Sequence, residues 1–424
     1  SNAVTLLGTQ EYDELTDNGT VWVGGLHQAS DVPSRLILGD QKGEPFTIGR
    51  LIDVFVGMSP ENPQHRLKGE LQVRNGGFHI RNLTNADRVS IEKDTAALAV
   101  GKLTMVGNGV LTNKGEFTAE SIQTQKGSGS AEIINDGDMK IHTGEVNVFK
   151  NNGTMSAGSL TMRNGGSVNA ANARLEADDL TIAGESSYGT GRLDKGTLLN
   201  DGELTATLMT VDGMLDNRAS SVVDHLKVSK DAIVENEVSG TLLVQNATSV
   251  GRVINNGQMA IEDEGKLESL TNAGFALINR GQITNFMNHT GAELQTHEDV
   301  SLQGVNEGRI LSEGVLRLEQ FTNMSDGELI SNSTVLVHGP VTNQDGRMTV
   351  DGDIEVKGGE TAQSYLHNKG MLKAHSMTLT DDGQLFSDGD VQLDRLSVKE
   401  RGLVTVAGGL TQVGELSFLS LIHI

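Results

Sequence analysis

The chain has no cysteine among its 424 residues, which removes disulfides, thiol nucleophiles and thiolate metal sites together. Proline is almost as scarce, at 5 residues, and aromatic side chains make up 3% of the chain, with Trp22 the single tryptophan. Glycine reaches 52 residues without a Gly-X-Y register, so the composition excludes a collagen-like helix and argues for turns. No apolar run approaches the roughly 20 residues that cross a bilayer as a helix. Basic charge is also short: 33 Lys and Arg stand against 56 Asp and Glu, a net charge of −23. Such a surface repels phosphate backbones and anionic lipid, so no nucleic-acid partner is expected, and a membrane is met only through an anchor domain missing from this sequence.

What the chain does have is one phrase, repeated: an apolar residue, then Asn-x-Gly, then another apolar residue. It runs over 111–117 with Asn113 and Gly115, over 133–139 with Asn135 and Gly137, and over 198–204 with Asn200 and Gly202. Further copies carry Asn255 and Gly257, Asn279 and Gly281, and Asn368 and Gly370, with looser versions at 323–327 and 343–346. These twelve Asn and Gly residues are the turn and ladder positions that the sequence nominates. Between the copies, runs such as Lys102-Leu103-Thr104-Met105-Val106 and Asp353-Ile354-Glu355-Val356-Lys357 alternate polar and apolar side chains. Period two marks strands with one buried face. Gly, Asn and Asp close the turns because they accept φ > 0 at low cost. The best local candidate for a helix, 94–100, is short.

Parallel strands in a flat sheet need crossovers of a dozen or more residues, and these turns are far shorter. The strands therefore either form an antiparallel meander or belong to coils that stack as a parallel β-helix. Spacing favours the second: the asparagines at 113 and 135 are 22 residues apart, those at 135 and 151 are 16, 200 and 217 are 17, 306 and 323 are 17, and 323 and 343 are 20. Coils of this size match solenoid repeats, and like residues of successive coils then lie about 4.8 Å apart. Two readings of the asparagines stand: a hydrogen-bonded ladder along one corner, or simply good turns. The expected fold is all-β, a single-stranded parallel β-helix with three parts. Residues 1–100 hold four of the five prolines (Pro33, Pro45, Pro60, Pro63), Trp22 and the dense run 51–56, and read as irregular N-terminal coils with a projecting loop at 59–65, the alternative being a small independent domain. Residues 101–418 are the regular repeats. Residues 419–424 read as a sequencing or cloning artefact, and Ser1-Asn2-Ala3 as a tag remnant.

Over 101–416 the alternating strands, Asn-x-Gly corners, missing cysteines and acidic charge resemble bacterial autotransporter passengers and filamentous-haemagglutinin-like adhesins. The resemblance implies a right-handed parallel β-helix, exported and displayed extracellularly at the outer membrane. It implies a role in adhesion, autoaggregation, biofilm formation or virulence, with a host surface glycan or protein, or a second copy, as partner. Display by a stalk, rather than catalysis, is the expected mechanism; a pectinase-like or tailspike-type carbohydrate-active enzyme and a purely structural spacer are the alternatives.

Candidate chemistry is thin, and no catalytic residue, cofactor or metal is assigned. Asp136-Gly137-Asp138, Asp351-Gly352-Asp353 and Asp388-Gly389-Asp390 offer calcium-type oxygens but read as turns. His289 and His297 with Glu298 and Asp299, and His367 with His375, offer nitrogen ligands without a spacing that fixes geometry. Gly127-Ser128-Gly129 and Gly158-Ser159-Leu160 lack a nucleophile's setting. Asp178-Asp179 and Asp381-Asp382 are the only Asp-Asp pairs open to a glycosidase reading, which needs carboxylates facing each other across a cleft. His65, Arg66, Lys68, Arg74, His79, Arg81 and Arg88 form a basic cluster that alternation would scatter over two faces, and Tyr188 and Tyr365 are the solenoid's only tyrosines.

Overall fold

The computed structural model describes residues 3–6, 9–12, 20–24, 34–39, 49–62, 66–125, 130–187, 193–358 and 363–419, and all regular structure among them is β-strand. The chain divides into two units, 1–223 and 224–424, and in each the strands stack in parallel as a β-solenoid.

One coil of the first unit shows how sequence makes the shape. The strand Val110–Asn113 turns inward every second residue and ends with a buried Asn113. Two residues later Glu116–Thr124 begins, and its alternation breaks once, at the adjacent outward positions Glu120 and Ser121. The chain bends there, so one nine-residue strand covers two faces. The next coil repeats the pattern directly above: Leu111 opposite Ile133, Phe117 opposite Met139 and Ile122 opposite Gly144. Each coil thus has three faces and three corners, and the corners need no crossover helix because the chain advances one strand spacing per turn.

The stacked inward positions make the core. In the first unit one column runs through Phe117, Met139, Met155, Leu175 and Leu204. In the second, Leu242, Met259, Ala276, Leu294, Ile310, Leu329, Met348, Leu372 and Val391 line up in register, none more than 3% exposed. A fully buried Leu, Ile or Met contributes roughly 1.5–3 kcal/mol, so the narrow core accumulates stability coil by coil.

The early coils are longer and belong to the same stack of the first unit. Arg35 and Glu70, in register, are 35 residues apart; Asp53 and Asn82 are 29 apart, and Asn85 and Met105 are 20 apart. Strand Ala96–Met105 runs straight through position 100. The helix expected at 94–100 is instead a turn leading into that strand, because Ala96, Leu98 and Val100 alternate inward and, from Ala97 on, the strand pairs on both sides. Within the expected loop at 59–65, Ser59 is buried and accepts a hydrogen bond from the Glu61 N–H, and residues 63–65 lie outside the described residues. An antiparallel pair, Glu185–Ser187 with Leu193–Lys195, interrupts one coil. Positions 1–2 and 420–424 are also outside the described residues.

Candidate functional site

The most regular chemical feature is the corner that follows the short strand. Inward alternation delivers an asparagine to the last strand position, and stacking places each amide against the next. In the first unit Asn113 Nδ2 donates to Asn135 Oδ1, and the chain of bonds continues through Asn151, Asn169 and Asn200 to Asn217, each 2.8 Å long. In the second unit it runs from Asn236 through Asn255, Asn272, Asn288, Asn306, Asn323 and Asn343 to Asn368, at 2.7–2.8 Å. All fourteen are fully buried. A buried primary amide has two donors to satisfy. Asn113 also donates to the Asp138 carbonyl at 2.9 Å, and its Oδ1 accepts the Gly115 N–H. Neutral, saturated amides carry no charge into the core, which is why a long polar column is tolerated there.

Glycine at the third position has a different cause from the one its turn propensity suggests. Gly115, Gly137, Gly202, Gly257 and Gly370 are absent from the left-handed positions; they are needed because corners lie against one another. A Cβ on Gly137 would run into the Gly115 carbonyl oxygen, and one on Gly370 into that of Gly346. Asn279 and Gly281 stand elsewhere. Ile278 pairs with Thr296 on the next face, so Asn279 begins the second corner, half-buried, while Asn272 and Asn288 hold the column. Gly281 does take a positive φ, 146°. Asn236 and Asn288 were hidden from the Asn-x-Gly pattern because their corners are two residues wider, as in Asn288-His289-Thr290-Gly291.

The remaining candidates are spread out. Asp136 and Asp388 occupy the Asn corner, where Asp136 accepts from Asn152 at 2.7 Å and Asp388 meets His367 Nε2 at 2.9 Å. Asp353 lies on a long strand and accepts the Ser376 hydroxyl. His289 and His297 sit at different corners and face Glu307 at 3.7 Å and Glu313 at 4.0 Å; His375 faces Asp394 at 3.2 Å. Among the described residues no group of three or more His, Asp or Glu is placed to hold a metal ion. Asp178 and Asp179 point outward at a bend. Asp381 and Asp382 form a left-handed turn, with Lys357 3.8 Å from Asp381 and Arg401 2.7 Å from Asp382. Ser159 lies mid-strand between Thr143 and Asp179, and Gly127-Ser128-Gly129, Tyr188 and His65 are outside the described residues. The basic residues separate: Arg74 faces Glu92 at 3.8 Å, while Arg81 and Arg88 are exposed at a bend and a strand start. Tyr365 packs edge-on to Phe386, centroids 6.1 Å apart.

The stacked parallel solenoid with its amide columns fits a β-helical, adhesin-like protein. The toxin CdiA of Escherichia coli is 24% identical to this chain over 349 residues, covering 77% of the chain and 10% of that protein. The chain therefore spans about a tenth of the length of the relative it matches. No family model matches the chain, and no solved structure matches it.

Proposed function

We propose that the chain is a stalk segment of an extracellular, filamentous-haemagglutinin-like adhesin, held at a bacterial surface and acting by display rather than by catalysis. The observation that carries this reading is the stacked parallel solenoid with its buried amide columns, in a chain most of which is similar to CdiA. Repeated outward rows on such a scaffold bind through many weak contacts whose strengths combine. Autotransporter-type export, biofilm formation and self-association are finer versions of the same proposal.

The test is capture. Beads coated with the purified chain are mixed with bacteria and with epithelial cells across a range of ionic strength. Capture is expected to rise with salt, because the net charge of −23 repels acidic cell surfaces until it is screened. No capture and no bead clumping at any ionic strength would sink the adhesion reading and leave the spacer reading in its place.

A further inference from the structure

The second corner of the later unit is built unlike the first. Where the coils elsewhere bury Ile278 or Val350, three successive coils bury Thr296, Ser312 and Ser331. Thr296 Oγ1 donates to Ser312 Oγ at 2.9 Å, and Ser312 and Ser331 donate to the carbonyls of Gly314 and Ser333. Outside this hydroxyl row stands a corner row of His297, Glu313 and Asn332, all exposed. Beside it, Gln295, Leu311 and Ile330 face outward in register and are only half-buried. The corner and outward rows, with Thr296 and Ser312 beside them, line a half-open cavity of about 130 Å³.

We propose that this cavity is a binding subsite for one pyranose ring of a neutral glycan, which rests on the adhesin reading and deepens it. Two side chains, Leu311 and Ile330, give an apolar floor that suits the C–H face of a sugar. The rim supplies what ring hydroxyls need: the Asn332 amide can donate and accept, Glu313 accepts, and His297 offers ring nitrogens. Charge points to a neutral ligand. On the far side of the floor Glu293, Arg309, Glu328 and Arg347 alternate in register and bridge one another at 3.5, 3.2 and 3.7 Å. That row is neutralised within itself, and His297 faces Glu313 at 4.0 Å. A cavity this small holds one ring, so a single sugar binds weakly, on the order of millimolar, and avidity comes from presenting many copies.

Saturation-transfer NMR on the full chain tests the proposal, with methyl β-glucoside, methyl β-galactoside and galacturonate as probes. Saturation is expected to reach at least one of the two neutral glycosides and not galacturonate. Ile330→Asp and Asn332→Ala are each expected to weaken that binding tenfold or more with the melting curve unchanged; because Asn332 is exposed, its variant remains informative if the other unfolds. No transfer to either glycoside, equal transfer in folded variants, or transfer to galacturonate alone overturns the subsite. Its failure is separable from that of adhesion: cells captured without glycoside binding sink the cavity alone, and glycoside binding without capture sinks adhesion alone.

Discussion

The two corners of the later unit solve one packing problem in opposite ways. At the first, a single residue type is repeated through eight coils from Asn236 to Asn368, and every amide bonds the next. At the second, the corresponding inward positions change from Ile278 through Thr296, Ser312 and Ser331 to Val350. A column whose members satisfy one another changes only to a residue that keeps the bond, as where Ser387 accepts from Asn368. The second corner is tied between coils at Thr296 and Ser312 and otherwise by bonds within a coil, and its residues change more freely. The first corner is therefore a continuous amide spine from Asn113 to Asn217 and from Asn236 to Asn368, preceded by Ile91 in the first unit and followed by Ser387 and Val406 in the second, while the second corner is where outward chemistry varies.

Breaking the spine gives the largest expected effect. Asn272→Ala removes the acceptor of Asn255 and the donor to Asn288 and the Glu293 carbonyl. Each orphaned buried group costs about 1–3 kcal/mol, so the loss is about 3 kcal/mol or more, read as a lower urea midpoint. An unchanged midpoint would mean that the amides act as independent turns. Gly137→Ala comes next, at about 2–3 kcal/mol, because the new methyl meets backbone rather than a movable side chain. Were turn conformation the only requirement, alanine would be nearly neutral at this position of ordinary φ, and the same urea titration separates the two.

The second corner is expected to give way more gently. Ser312→Ala removes one hydroxyl between Thr296 and the Gly314 carbonyl, and the coils two steps away on either side already bury apolar Ile278 and Val350 there. The cost is about 1 kcal/mol, and Ser312→Val, which places there the residue type of Val350 two coils on, should recover part of it. A loss as large as that of Asn272→Ala would erase the distinction between the corners.

This asymmetry also governs what could be read from the chain. Asparagine at intervals of 16 to 22 residues is visible because one residue type recurs at one place, and alternation around it marks the strands. The phrase misleads at Asn279, where the same three letters fall on a different corner. His297, Glu313 and Asn332 share no letter, and only the register of Thr296 with Ser312 and Ser331 brings them into a row. A repeat search keyed to identity cannot see a site made of dissimilar residues. Tyr365 and Phe386 are likewise joined only by the coil register.

The smallest effect comes from the third corner, the turn that follows Leu379 and Val398, where the last coils carry carboxylates in place of the Gln303 and Gln320 amides of earlier coils. Asp381 and Glu400 hold left-handed turns in successive coils. Their carboxyls share a hydrogen bond and repel, and this raises the Glu400 pKa above its ordinary value, against the opposing pull of Arg401. The folded chain thus holds this proton more tightly than the unfolded chain does. Its contribution is present at pH below the ordinary glutamate value and is lost as pH rises through the raised one. Asp381→Asn should return the Glu400 titration to the usual range, followed by carboxyl chemical shifts against pH, with little change in melting because the group is exposed. A Glu400 titration that stays raised in the variant would show that Asp381 is not its cause, and that these two coils, unlike those of the amide column, are not coupled at this corner.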